Sequence, residues 1–230
     1  MLTLEDLRVV LDGFTLEGSL EVSKGARVAV MGPSGAGKST LLNVVAGFQE
    51  AEGRLLWEGR EIGALPPADR PVSMIFQDNN LFPHLTAFQN VGLGISPALK
   101  LSGTETARVM EALARVGLDG LEDRKPAALS GGQQSRLALA RVLLQDKPLV
   151  LLDEPFAALG PALRVEMLGL VKELVAETGA TLLMVTHDPK DAVLIADHCI
   201  LVADGHVAAP KEIEAFMANP PEEMRAYLGT

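Results

Sequence analysis

At 230 residues the chain is long enough to bury a sizeable core, and two unrelated domains would be a tight fit. Hydrophobic residues make up 48% of it and charged residues 22%, which excludes extended disorder, while a net charge of -10 argues against a surface built to hold nucleic acid phosphates. Cys199 is the one cysteine, so no intrachain disulfide can form and a reducing compartment fits best.

The start, MLTLEDLRVV, has acids and alternating apolar positions where a secretory signal needs a basic flank and an apolar run. No stretch approaches the roughly 18 apolar residues of a membrane span, so the expectation is a cytosolic chain whose membrane role comes through partners. Residues 2–10 and 16–22 alternate apolar and polar and read as two antiparallel strands, followed by a buried strand at 27–31. The spacing of Leu41, Leu42, Val44 and Val45 predicts a helix over 38–46 that stops at Gly47. A hairpin is expected at 54–62 around Glu58-Gly59, then a loop at Pro66-Pro67 and a short apolar run, 72–76.

Through 86–92 and 104–117 apolar residues recur at helical spacing, so a helical insertion is expected over about 80–135. A helix from 133 leads to a buried strand, Leu149–Leu152, ending in Asp153-Glu154 and expected beside strand 27–31. A helix at 161–178, a strand at 181–185, a helix at 189–196, strands at 199–203 and 206–208 and a terminal helix from about 211 complete the chain. This order, with the glycine-rich "GPSGAGKST" between the strand at 27–31 and the helix at 38–46, predicts one α/β domain, 1–230: a P-loop NTPase core with a mainly parallel sheet, an N-terminal antiparallel β subdomain and an inserted α-helical subdomain.

"GPSGAGKST", Gly32, Pro33, Ser34, Gly35, Ala36, Gly37, Lys38, Ser39 and Thr40, matches the P-loop pattern between a strand and a helix. Its glycines let backbone N–H groups turn inward at phosphate oxygens, and the helix N-terminus adds partial positive charge. Lys38 is expected to reach the β- and γ-phosphates, and Ser39 to offer a hydroxyl to Mg²⁺. Asp153 can hold Mg²⁺ while Glu154 orients and activates water, because adjacent side chains at a strand end can point differently. Gln77 and His187 follow apolar runs and suit the carboxyl ends of strands, Gln77 toward Mg²⁺ and water, His187 toward the γ-phosphate. Taken singly, each is more often a structural polar residue, and it is their order relative to the other motifs that favours a functional role. "LSGGQ" places Ser130, Gly131, Gly132 and Gln133 at a second helix N-terminus, and two phosphate cradles suggest a site shared between subunits.

Five stretches in order, "GPSGAGKST", "SMIFQDNN", "LSGGQ", "LVLLDEP" and "MVTHD", resemble the Walker A, Q-loop, signature, Walker B and switch-histidine motifs of the ATP-binding cassette family. The resemblance covers essentially the whole chain. It implies a homodimer that sandwiches two ATP molecules, with Ser130, Gly132 and Gln133 of one chain facing the γ-phosphate held by Lys38 of the other. Residues 70–101 and 169–205 are similar to the ATPases of bacterial importers, in particular those for thiamine. Implied partners are membrane permease subunits and, indirectly, a solute-binding protein, with the ATPase at the cytoplasmic face of the membrane. A chain ending at Thr230 would carry no appended regulatory domain. An importer for another solute, a non-transport cassette ATPase and a degenerate nucleotide-dependent scaffold are the alternatives.

Two positions depart from the family pattern. Leu11 stands where an aromatic residue often stacks on adenine, with Phe14 or Phe48 as possible substitutes. "AALG" ends in Gly160 where the family has Asp, which implies weaker communication between the two sites.

Overall fold

The computed structural model describes residues 1–11 and 13–228. The chain begins with β1 (Leu2–Leu11), β2 (Phe14–Val22), β3 (Arg27–Met31), α1 (Lys38–Ala46), β4 (Glu52–Trp57), β5 (Arg60–Glu61) and β6 (Val72–Ile75). The helices α2 (Ala87–Gly92), α3 (Gly103–Arg115) and α4 (Gly131–Leu144) follow, then β7 (Leu149–Asp153), α5 (Pro161–Thr178), β8 (Thr181–Val185) and α6 (Pro189–Ile195). It closes with β9 (His198–Ala203), β10 (His206–Val207), β11 (Lys211–Glu212), α7 (Ile213–Ala218) and α8 (Glu222–Leu228).

The strands lie in the order β5-β4-β1-β2-β10-β9-β3-β8-β7-β6, with β11 against β9. Strands β9, β3, β8, β7 and β6 run parallel, and β1, β2, β4 and β5 pair antiparallel. The fold class expected from the sequence is therefore the one observed. Two details differ. β8 separates β7 from β3, so the Asp153 strand is not beside the P-loop strand. The expected terminal helix begins as strand β11, and α7 ends before Pro220-Pro221, since proline lacks the N–H that a continuing helix would use and biases the residue before it away from helical backbone.

β7 and β8 are buried along their whole length, as continuous apolar runs in a parallel sheet should be. Alternation along β3 splits its side chains between two cores. Val28 and Val30 join Leu2, Leu16, Leu41 and Leu42 on one face, while Ala29 and Met31 join Leu139, Phe156, Met167 and Leu168 on the other. In β1 the alternation slips at Asp6, whose φ of 48° belongs to a bulge between Leu4 and Leu7. The Ser19 hydroxyl holds this bulge by accepting from Asp6 N at 2.9 Å, so Leu2, Leu4, Leu7 and Val9 all stay buried.

A third core, including Val91, Val109, Leu113 and Leu137, lies beneath α2, α3 and α4. Each of these helices opens on a capping box: Thr86 with Gln89, Ser102 with Glu105, and Ser130 with Gln133. Asn90 is fully buried, accepting from Phe82 N and donating to the carbonyls of Phe82, Leu85 and Thr86, which anchors the connection from β6. Among the described residues, no helix is long and apolar enough to cross a membrane.

Arg27 at the start of β3 donates from NH2 to Asp197 Oδ1 at 2.5 Å, just before β9. The guanidinium holds the Asp197 carboxyl below the ordinary aspartate range, chiefly through its side-chain hydrogen bond. A depressed folded pKa means the pair's stabilisation is fully present above the unfolded value of about 3.9 and is lost as pH falls through the folded one. Asp197→Asn should therefore lower stability by about 0.5–1 kcal/mol at neutral pH, the range for a part-exposed ion pair, and match the wild type at about pH 2, as urea unfolding at both pH values would check.

Candidate functional site

The loop from Gly32 to Gly37 leaves β3 and enters α1 with backbone that only glycine adopts without strain. Gly32 has φ 149°, and a Cβ there would lie 1.9 Å from the Val202 carbonyl oxygen. Gly37 has φ 102° and caps α1 with no side chain, which leaves the first helical N–H groups facing the loop. The Phe14 ring packs against this point: a Cβ on Gly37 would meet Phe14 Cζ at 2.7 Å.

Lys38, 8% exposed, reaches back into the loop and donates from Nζ to the carbonyls of Gly32 at 2.9 Å and Pro33 at 2.8 Å. Burial pushes its pKa down, while Glu154 and Asp153 push it back up. Ser39, next on α1, donates to Asp153 Oδ1 at 3.0 Å across the mouth of β8. Burial raises the Asp153 pKa, the Ser39 hydrogen bond lowers it, and neighbouring Glu154 raises it.

Glu154 leaves the strand at φ 44°, a left-handed conformation costing of order 1 kcal/mol for a non-glycine residue, and donates its N–H to Val185 O at 3.2 Å. This turn separates the two carboxylates: Asp153 faces Ser39, whereas Glu154 Oε2 lies 3.2 Å from His187 Nδ1. His187 stands in the connection after β8. Four of the expected residues, Lys38, Ser39, Asp153 and Glu154, thus lie together with His187 at the carboxyl ends of β3, β7 and β8.

Gln77 is exposed in the turn after β6 and makes no hydrogen bond to Ser39, Asp153 or Glu154. The Ser130 turn is also apart from the P-loop within the chain. Ser130 and Gly131 are exposed, Ser130 and Gln133 are engaged in their capping box, and Gly132 is buried where a Cβ would meet Leu163 Cδ2 at 2.3 Å. Of the two aromatic substitutes for the 37%-exposed Leu11, Phe14 adjoins the P-loop. Phe48 is 57% exposed and packs against Phe76, ring centroids 5.3 Å apart, in a groove also lined by Met74, Phe82 and Leu93. Gly160 caps α5 without a side-chain bond and has open space around its Cβ position.

Two arginines of this region escaped sequence reading. Arg141, 6% exposed on α4, donates to the carbonyls of Asn79 at 3.1 Å and Asn80 at 2.7 Å and so shapes the turn that carries Gln77. Its signal was a lone cation among buried alanines and leucines. Arg164 on the first turn of α5 had no such signal.

The residues present suit a nucleotide triphosphate and its metal. A cradle of N–H groups with an inward ammonium matches phosphate oxygens. The hydroxyl and carboxylate pair of Ser39 and Asp153 matches Mg²⁺, which keeps waters and phosphate ligands rather than an all-protein cage; among the described residues no group of three or more His, Cys, Asp or Glu could hold a metal by itself.

The profile of the family described as "ABC transporter" matches residues 17–157. The chain is 60% identical to "Thiamine import ATP-binding protein ThiQ" of Cereibacter sphaeroides over 230 residues, covering 100% of both chains. It is 54% identical to the protein of that name from Jannaschia sp. (strain CCS1), covering 99% of this chain and 100% of that one. Its fold is similar to the dimeric post-hydrolysis state of the ATP-binding cassette MJ0796 bound to ADP and Pi, at TM-score 0.81 and 31% identity over 93% of this chain and 99% of that one. A nucleotide-free ATP-binding cassette from an ABC transporter matches at TM-score 0.85 and 27% identity, covering 96% of each chain. With the family profile spanning more than half the sequence, and relatives this similar along its length, the chain belongs to the ABC transporter family.

Proposed function

We propose that this chain is the ATP-hydrolysing subunit of an importer, works as a homodimer at the cytoplasmic face of the membrane, and energises uptake of thiamine or its phosphates. The observation that carries the ATPase reading is the Ser39–Asp153 hydrogen bond, which joins the P-loop helix to a strand-exit carboxylate 114 positions away. In this reading Gly32, Pro33, Ser34, Gly35, Ala36, Gly37, Lys38, Ser39 and Thr40 bind the triphosphate, with Lys38 on its terminal oxygens. Ser39 and Asp153 would hold Mg²⁺, which would neutralise charge on the phosphate oxygens, and Gln77, on its exposed turn, would join them toward the metal and the attacking water. Glu154 orients the attacking water and takes its proton, and His187, held against Glu154, hydrogen-bonds the γ-phosphate.

The exposed Ser130 and Gly131, far from their own P-loop's contacts, support a second chain completing the site through Ser130, Gly131, Gly132 and Gln133. The dimeric state of the MJ0796 cassette supports the same assembly. With no described helix able to span a membrane, the solute path belongs to permease subunits, and the apolar groove around Phe48 and Phe82 suits their docking. Thiamine as the solute rests on the full-length relatives, and a solute-binding protein would deliver it.

Reconstitution with the membrane partners and solute-binding protein tests the whole reading: ATP hydrolysis should be stimulated by thiamine, and hydrolysis indifferent to it would remove the solute assignment. Glu154→Gln should lower kcat by about 10²-fold or more and trap an ATP-bound dimer on gel filtration, whereas ordinary turnover would remove Glu154 from its role. Phe14→Ala should weaken ATP binding by about 1–3 kcal/mol, roughly 5- to 150-fold in Kd by fluorescent-nucleotide titration, while Phe48→Ala leaves Kd unchanged. Gly160→Asp fits the extended backbone and open space of the α5 N-cap, so stability should change by only a few tenths of a kcal/mol. The restored carboxylate should raise the Hill coefficient of hydrolysis against ATP, and an unchanged coefficient would count against a coupling role at this position.

A further inference from the structure

His187 and Glu154 meet at 3.2 Å, yet His187 is an exposed residue, its side chain 48% accessible, and packing alone does not hold it. Its position is set by the residues on either side. Thr186 donates its N–H to Val30 O at 3.3 Å, which fixes the chain before it. Asp188 follows it, and one Asp188 carboxylate oxygen caps α6 by accepting from Lys190 N at 2.9 Å.

The other Asp188 oxygen accepts from NH1 of Arg164 at 3.4 Å. The same NH1 lies 3.8 Å from Asp191 Oδ2, and Asp191 accepts in turn from the Thr186 hydroxyl at 3.5 Å. The second arm of the guanidinium, NH2, donates to the Ala157 carbonyl at 3.1 Å. Ala157 is tied to Glu154 by a turn, its N–H donating to Glu154 O at 3.3 Å. A closed circuit results: Glu154, Ala157, Arg164, Asp188, His187 and back to Glu154.

The helix aims Arg164 into this circuit. Met167 and Leu168, three and four residues on, are 0% and 1% exposed, so Arg164 lies over the same inward face of α5, its side chain only 18% accessible. Its Nε is buried with no hydrogen-bond partner, a poor arrangement for stability, because a buried unpaired donor keeps its full desolvation penalty. The planar fork suits a different task, since its two arms hold two separate loops at a fixed spacing.

We infer that Arg164 is a positioning residue for hydrolysis, fixing the loop after Glu154 against the loop after His187 so that the two side chains stay in register. This rests on the roles proposed above for Glu154 and His187.

The test is a double-mutant cycle on the full chain with MgATP, measuring kcat, KM and melting temperature for the wild type, Arg164→Met, His187→Ala and the double variant. Single-turnover hydrolysis of labelled ATP gives the slow variants. Methionine keeps the bulk of the arginine stem, and Arg164→Lys, which keeps the charge but has no second arm for Ala157, serves if the methionine variant does not fold. Arg164→Met should lower kcat by about 10-fold or more with KM within about two-fold. In the His187→Ala background the same change should cost less than about two-fold, because the residue it positions is already gone. An equal loss in both backgrounds, or a wild-type kcat in Arg164→Met with only the melting temperature lowered, would overturn the inference. Wild-type turnover in His187→Ala would instead overturn the underlying role of His187, whatever Arg164 does.

Discussion

The hydrogen bond between Ser39 and Asp153 crosses a whole strand. β8 lies between β7, which ends in Asp153, and β3, whose loop leads to Ser39 on α1, so their meeting requires that β8 end level with Asp153, at Val185, and that its following residues stay out of the way. The backbone meets this requirement by stitching the three strand exits together: Thr186 N–H donates to Val30 O, and Glu154 N–H donates to Val185 O. The chain then turns away at Glu154 through a left-handed residue. Without that turn, strand alternation would send the two carboxylates to opposite faces of the sheet instead of leaving both at its carboxyl edge, Asp153 on Ser39 and Glu154 beside His187.

The same geometry sets the electrostatics. Lys38 is buried beside two carboxylates, and burial disfavours the charged forms of both Lys38 and Asp153. The carboxylates partly offset the penalty on Lys38, whereas Asp153 keeps a raised pKa because Glu154 repels its charge as well. In the protein alone Lys38 satisfies its ammonium with carbonyls of its own loop, at 2.9 and 2.8 Å. Those are neutral acceptors, and anionic oxygens make stronger hydrogen bonds to an ammonium. The loop is thus arranged so that a polyanion improves on the contacts already present.

Much of this was legible in the sequence because it is local. Gly32, Gly35 and Gly37 announce a loop that needs positive φ, and the fully apolar runs at 149–153 and 181–185 announce buried parallel strands. Strand order was not legible, because nothing in residues 149–153 states that β8 intervenes before β3; that neighbour is chosen by long-range pairing. The short β11 was hidden for the same reason, since Lys211 and Glu212 are strand only by their pairing with Cys199 and His198. Arg141 and Arg164 look like ordinary solvated cations in one dimension. Only the fold shows that Arg141 spends its guanidinium on the carbonyls of Asn79 and Asn80, and that Arg164 bridges the Ala157 carbonyl and the Asp188 carboxylate.

Those two arginines also divide the labour of the site. Arg141 reaches from α4 to the Asn79 and Asn80 carbonyls and lies 5.9 Å from the Phe82 ring centroid, so the Gln77 turn and the apolar groove are built on one side chain. Arg164 reaches from α5 to the loops of Glu154 and His187. One ties the site to a surface suited to a membrane partner, and the other ties together the groups proposed to act on water and phosphate. In the assembly proposed above, selectivity belongs to the subunits that touch the solute, and this chain's part is the force of nucleotide binding, passed through the groove of Phe48 and Phe82 and the turn that Arg141 holds.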